Sequence, residues 1–262
     1  MASNSMKVSV SILNKDRLVQ WFNQFTALDK NLPVEIDLKN KVLKCKLGNA
    51  ERTVLIKSQI YLSEIFKVED IDMLDLKING SDIRWGIYAV DKVIKILKAF
   101  DSNEIKAQLH LTHDEAQGIY FLDKVSLSED KLRFDITSMN FSLLIFLEDI
   151  KYAAITDISE SIFNFELNLP TLSKITSLST LDTDQDYLTF KSKGKNISIL
   201  GKSFDFKITD STDEGEILIK KPHFSIIDKQ AWTAYVTSSN LMILKSVGSD
   251  DREILIAGIE DY

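Results

Sequence analysis

The sequence predicts an α+β protein of two similar domains, and three observations carry that expectation. Short stretches of alternating apolar and polar residues dominate the chain, which fits antiparallel sheets with one wet face. Amphipathic helical stretches interrupt them at only four places, each directly after a strand. With 9 Gly and 3 Pro in 262 residues, no low-complexity linker separates these segments.

The strand candidates run "KVSVSI", "PVEIDLK", "KVLKCKL", "RTVLIKSQI", "EIKAQLHL", "QGIYFL", "KLRFDI", "FNFELNL", "DYLTFKS", "NISILG", "FDFKIT", "GEILIK", "LMILKS" and "EILIAGI". The first helix, "NKDRLVQWFNQFTAL", opens on Asn14 as N-cap and places Leu18, Trp21, Phe22 and Phe25 on one stripe, with Arg17, Gln20 and Gln24 outward. In the second, "VDKVIKILKAF", Val90, Val93, Ile94, Ile96, Leu97 and Phe100 share one side while Lys92, Lys95 and Lys98 fill the other. The third, "LPTLSKITSLSTL", has Pro170 in its first turn, Leu172, Ile175 and Leu178 inward, and Ser173, Lys174 and Ser177 outward. The fourth, "KPHFSIIDKQ", turns Phe224 and Ile227 inward and exposes Lys221 and Lys229. All four outward faces lean positive, and two readings of that stand: solubility of an exposed face, or a surface for an anion.

Each helix is followed by a turn and a strand pair, so the chain parses as four copies of strand, helix, strand, strand, two per domain. The division places an N-terminal domain at 1–146 and a C-terminal domain at 147–262, with a connector at about 146–161 in "FLEDIKYAAITDISES".

Formal charge is −7 and the pI about 5.1, which excludes a protein that coats nucleic acid over its whole surface. Residues 1–146 carry 20 basic and 20 acidic side chains and residues 147–262 carry 12 and 19, so any such contact is a local patch. Cys45 is the only cysteine, which rules out an intrachain disulfide and fits a reducing, cytoplasmic compartment. There is no run of about eighteen apolar residues and no secretion leader, so no membrane is expected.

Motifs for chemistry are lacking. His110 and His113 in "HLTH" point to opposite faces of a strand, a poor metal pair. Phosphate-binding loops, a dinucleotide fingerprint and a nucleophile elbow are all missing. "KSKGKN", with Lys191, Lys193 and Lys195, reads as a solvated hairpin tip, with phosphate binding as its alternative. Neither an enzyme nor a cofactor or metal is expected.

On these features, and on the ending "GEILIKKPHFSIIDKQAWTAYVTSSNLMILKSVGSDDREILIAGIEDY", the chain resembles the DNA polymerase sliding clamps, including proliferating-cell nuclear antigen and phage processivity clamps. The resemblance covers nearly the whole chain and is topological. It implies antiparallel sheets outside and two helices per domain on the inner face of a ring that encircles double-stranded DNA and tethers a DNA polymerase. Family rings contain six domains, so it implies a homotrimer, a clamp-loader ATPase as partner, and an origin in a phage. By position it assigns DNA-facing roles to Arg17, Gln20, Gln24, Lys92, Lys95, Lys98, Ser173, Lys174, Ser177, Lys221 and Lys229. Leu147, Ile150, Tyr152, Ile256 and Ile259 fall where clients of the family insert an apolar peptide, or they complete the second core. Edge strands for subunit contacts fall in "KVSLSEDKLRF" and "NISILGKSFDFKIT". The connector carries no motif that matches the family, and the "IYLSEIFKVEDIDM" segment is longer than the family pattern implies between units. The rival reading is a viral or phage structural or interaction protein built from duplicated β-rich domains, which needs no convergence of lysines.

Overall fold

The computed structural model describes residues 5–140, 143–144, 157–248 and 251–259. Contacts divide the chain into two units, Met1–Leu47 with Ser58–Leu147, and Gly48–Lys57 with Glu148–Tyr262. Residues 48–57, placed in the first domain by the sequence reading, therefore pack with the second unit.

Both units are built from two copies of strand, helix and three strands. The first copy runs β1 (Ser5–Ile12), α1 (Lys15–Asn23), β2 (Leu32–Asp37), β3 (Val42–Gly48) and β4 (Val54–Tyr61). An additional helix, α2 (Val68–Ile78), leads to the second copy: β5 (Ile83–Ile87), α3 (Val90–Lys98), β6 (Ile105–Asp114), β7 (Ile119–Glu129) and β8 (Leu132–Thr137). The second unit runs β9 (Ser161–Leu167), α4 (Leu169–Ser179), β10 (Tyr187–Lys193), β11 (Asn196–Leu200) and β12 (Asp205–Asp210), then β13 (Gly215–Lys220), α5 (Lys221–Phe224), β14 (Trp232–Thr237), β15 (Leu241–Ser246) and β16 (Asp251–Ala257). Each copy is thus one strand longer than the sequence parse. β5 and β14 are the two strands missing from the sequence-based set.

Within a unit the two copies interlock by exchanging first strands. β5 pairs with β2, completing the sheet of the first copy, while β1 pairs with β6, completing that of the second. The second unit repeats the exchange, β13 on β10 and β9 on β14. In the first unit a parallel pair, β5 with β7, joins the two sheets. In the second, β12-β11-β10-β13 stands as a separate four-stranded sheet. Neither copy can bury its apolar strand faces alone, so the exchange makes each unit one cooperative core.

That core is assembled from the predicted stripes. Trp21, Phe22 and Phe25 of the α1 region are wholly buried, with Trp21 edge-on to Phe25 at 5.2 Å and Phe22 edge-on to Trp85 at 6.0 Å. Phe163, Phe165, Phe190 and Phe224 form a continuous ring series in the second unit, at 6.1, 5.7 and 5.5 Å between successive centroids. Two helices depart from expectation. α2 was not anticipated, although Ile71, Leu74 and Ile78 form its buried stripe. It covers the outer edge of β1: Asp70 Oδ2 accepts from Ser11 N at 2.7 Å, and Lys67 N donates to the Ser11 carbonyl at 3.0 Å. An edge strand covered in this way is protected from stray pairing. α5 is only Lys221–Phe224, and the chain then turns to Asp228, which lies 2.6 Å from Arg252.

Candidate nucleic-acid interface

α3 is built as a one-sided helix. Val90, Val93, Ile94 and Leu97 are buried, whereas Lys92, Lys95 and Lys98 are exposed, and among the described residues none of the three forms an ion pair. Ile96 is half-buried, so the apolar side is narrower than predicted. Asp91 in the first turn and Lys95 and Lys98 in the last both complement the helix dipole. The start is anchored by Val90 N donating to the Lys30 carbonyl at 2.7 Å and Ala89 N donating to Asn31 Oδ1 at 3.2 Å. This brings the Lys30 backbone to the head of α3, with its side chain exposed. Lys30 lies in a loop with no helical period to flag it, and the sequence reading missed it.

α1 packs beside α3, and two of its predicted outward residues are already engaged. Arg17 Nε donates to Glu64 Oε2 at 2.9 Å, with 15% of its side chain exposed. Gln24 Oε1 accepts from Ser58 Oγ at 2.8 Å, and that hydroxyl in turn accepts from buried Trp21 Nε1 at 3.0 Å. Gln20 alone is fully outward. Lys15, on the same helix, is buried and donates to the Phe100 carbonyl, tying the start of α1 to the end of α3.

In the second unit α4 is capped by Asn168, whose Oδ1 accepts from Thr171 N at 2.9 Å, and Pro170 sits in its first turn. Ser173, Lys174 and Ser177 are exposed, while Leu178 is half-buried. The Ser177 hydroxyl donates to the Ser173 carbonyl at 2.9 Å, so its proton is spent within the helix. Lys221 is half-buried and donates to the Asp182 carbonyl. Hydrogen bonding from Ser203, aided by the Lys221 charge, holds the Asp182 carboxyl below its usual range against the opposing effect of burial. Lys229 is exposed but lies beyond α5, not on it. The unencumbered cations among the eleven predicted residues are thus Lys92, Lys95, Lys98, Lys174 and Lys229.

Of the client-pocket residues, Leu147, Ile150 and Tyr152 lie outside the described residues. Ile256 is fully buried in β16 and completes a core, which takes it out of any surface pocket. Ile259 is half-buried, with its N–H donating to the Leu218 carbonyl at 2.8 Å.

The His113 ring lies 4.6 Å from that of Tyr120, and Lys191 pairs with Glu216 beside the β10–β11 turn. Among the described residues, the one carboxylate group close enough to share a cation is Glu35, Asp37 and Asp82. It already holds the Lys44 ammonium, 2.6 Å from Glu35 and 3.1 Å from Asp37. No described helix is long and apolar enough to cross a membrane.

The interlocked pairs of motifs, repeated in two units, are the fold of the DNA sliding clamps. The structure superposes on that of A. fulgidus PCNA bound to the C-terminal region of FEN-1 with a TM-score of 0.65 at 10% identity, over 97% of this chain and 99% of that one. The PCNA2–PCNA3 complex from Sulfolobus tokodaii gives 0.61 at 15% identity, over 96% and 99%. The H. pylori beta clamp in complex with 5-chloroisatin gives 0.60 at 13% identity, over 98% of this chain and 64% of that one. No protein-family model matches the sequence, and no curated protein matches it.

Proposed function

We propose that this chain is a DNA sliding clamp of a phage, acting in the host cytoplasm, in which three copies close a ring around duplex DNA and tether a replicative polymerase. The observation that carries the reading is the exposed row Lys92, Lys95 and Lys98, without an ion pair among the described residues, on α3 of a clamp fold in a chain of net charge −7. Such a row attracts phosphates without reading bases, and mobile ammonium groups on flexible stems permit sliding. Lys174, Lys229 and Lys30 add to the attraction, with Gln20, Ser173 and Ser177 as neutral contacts. Arg17, Gln24 and Lys221 serve instead to hold the helices in place. The protein acts by topology and needs no catalytic group.

Closure of a ring requires a heterologous contact between two different edges. Among the described residues β8 pairs only with β7 and β12 only with β11, so each offers an open edge there. A clamp-loader ATPase would open that joint. The neighbouring PCNA carries a FEN-1 tail, and by analogy an apolar client segment docks here through Ile259 and the connector residues Leu147, Ile150 and Tyr152.

Light scattering is expected to give about three times the 29.8 kDa chain mass. Replacing Lys92, Lys95 and Lys98 together by Glu is expected to abolish retention on circular duplex DNA and processive synthesis, with the circular dichroism spectrum unchanged. A monomer at every concentration removes the ring and favours the structural-protein reading. Undiminished retention removes the role of α3.

A further inference from the structure

A second cationic surface lies on β1, β6, β7 and β8, on the sheet face opposite α1 and α3. The helices pack against the side carrying Ile12, Ala107, Leu109 and Leu127, which line one apolar cavity with Leu18 and Val93. Residues alternating with these point the other way. The register sets them in rows across the strands. Ser11, Lys106, Ser128 and Arg133 are consecutive neighbours, and so are Lys7, His110 and Lys124 four positions along. Between the rows run Ser9, Gln108, Ser126 and, at the β8 end, Asp135. Lys106, Gln108, Ser126 and Arg133 are among the side chains that line an open groove of about 440 Å³, within the size range of ordinary ligand sites, and the row of Lys7, His110 and Lys124 stands just beyond it.

Its charge is lopsided. Counted with that adjoining row, Lys7, Lys106, Lys124 and Arg133 stand against Asp70 and Asp135, while Asp123, beyond His110, is engaged by the Thr112 hydroxyl at 2.5 Å. Asp135 lies 3.2 Å from Lys124 and 3.7 Å from Arg133, and Asp70 is occupied by Ser11 N. Lys7 and Lys106 are exposed and have no ion pair among the described residues. The imidazole of His110 registers the resulting field: burial and then the charges of Lys124 and Lys7 hold it below its ordinary value, against the pull of Asp135.

We propose that this groove binds a short acidic peptide segment of a protein partner. Two or more carboxylates answer the two cationic rows, and the serine and amide side chains between them supply hydrogen bonds to a peptide backbone. Single-stranded nucleic acid is the poorer fit, because no aromatic side chain lines the groove to stack a base. The inference is independent of the ring and of the α3 lysines.

The test uses the full-length protein and fluorescein-labelled decaglutamate as the probe, followed by anisotropy at low salt, with labelled oligothymidylate in parallel. Lys7→Glu with Lys106→Glu leaves β8 and its open edge untouched. The double change is expected to weaken peptide binding by about tenfold or more, whereas Lys92→Glu, Lys95→Glu and Lys98→Glu together leave it unchanged. In the unaltered protein, saturating peptide should raise the His110 pKa observed by NMR. The proposal is overturned if the peptide does not bind, or if only the α3 changes weaken it. It is likewise overturned if the groove changes weaken oligothymidylate binding and spare the peptide.

Discussion

Arg252 has no exposed side-chain surface; its guanidinium lies 5.2 Å from the centroid of the Trp232 ring and pairs with Asp228. Replacing Asp228 by Ala removes a carboxylate that lies 2.6 Å from this buried cation. Loss of a partner from a wholly buried pair costs about 3–5 kcal/mol. Asp228 is 44% exposed, so a smaller loss of about 2 kcal/mol is expected in urea unfolding. His223 gives a pH prediction of definite sign. Its Nε2 lies 3.3 Å from Thr53 Oγ1, and burial, followed by the Lys220 charge and opposed by Glu51, holds it below its ordinary value of 6.5. The unfolded chain therefore takes up a proton first as pH falls. Stability contributed by neutral His223 is present above about pH 6.5 and is lost as the pH drops towards the lower folded value. His223→Gln should flatten that part of the stability–pH curve, and an unaltered slope would show that His223 does not cause it.

At the level of elements, α3 begins under strain that a single change relieves. Ala89 sits at φ 52°, ψ 67°, in the left-handed region where a Cβ crowds the following carbonyl. Ala89→Gly is expected to stabilise the first unit by about 0.5–1 kcal/mol, the relief exceeding the added chain entropy. It should be seen as a raised urea midpoint at constant slope. Such strain is invisible in "IYAVDKV", just as the α2 helix is hard to see in "VEDIDMLDLKI". There Val68, Met73 and Leu76 are exposed and four acids interrupt the stripe, so apolar residues lie on both sides and blur the period. The stripes of α1, α3 and α4 were legible because their buried residues come from local spacing. Engagement of Arg17 by Glu64, of Gln24 by Ser58 and of Lys221 by Asp182 depends on residues 47, 34 and 39 positions away. Helical position assigned these three to the outward face; tertiary contact then took their polar groups. The three lysines of α3 kept theirs: among the described residues none of them is drawn into an ion pair.

For the whole molecule, the strongest claim is that open edges are joined between copies, and β12 offers a way to test it without harming the core. The register slips between Ile197 and Ser198, which face Thr209 and Lys207, leaving Ile208 as the extra residue of a β-bulge. Bulged residues lie outside the ladder and bend the edge of a sheet, and Ile208 is only half-buried. An Ile208→Asp chain should therefore fold and melt like the unaltered protein at concentrations where both are monomeric. In a contact with a second copy, however, the new carboxylate would be desolvated without a partner, which costs several kcal/mol when complete. A shift of a few kcal/mol per joint acts three times in a closed trimer, so the light-scattering mass should fall towards that of one chain. Retention on circular DNA should disappear with it, although Lys92, Lys95 and Lys98 remain in place. If the trimer persists with Asp at position 208, β12 is not the joint. If the mass falls while retention on circular DNA is kept, attraction by the lysines holds the DNA without any ring.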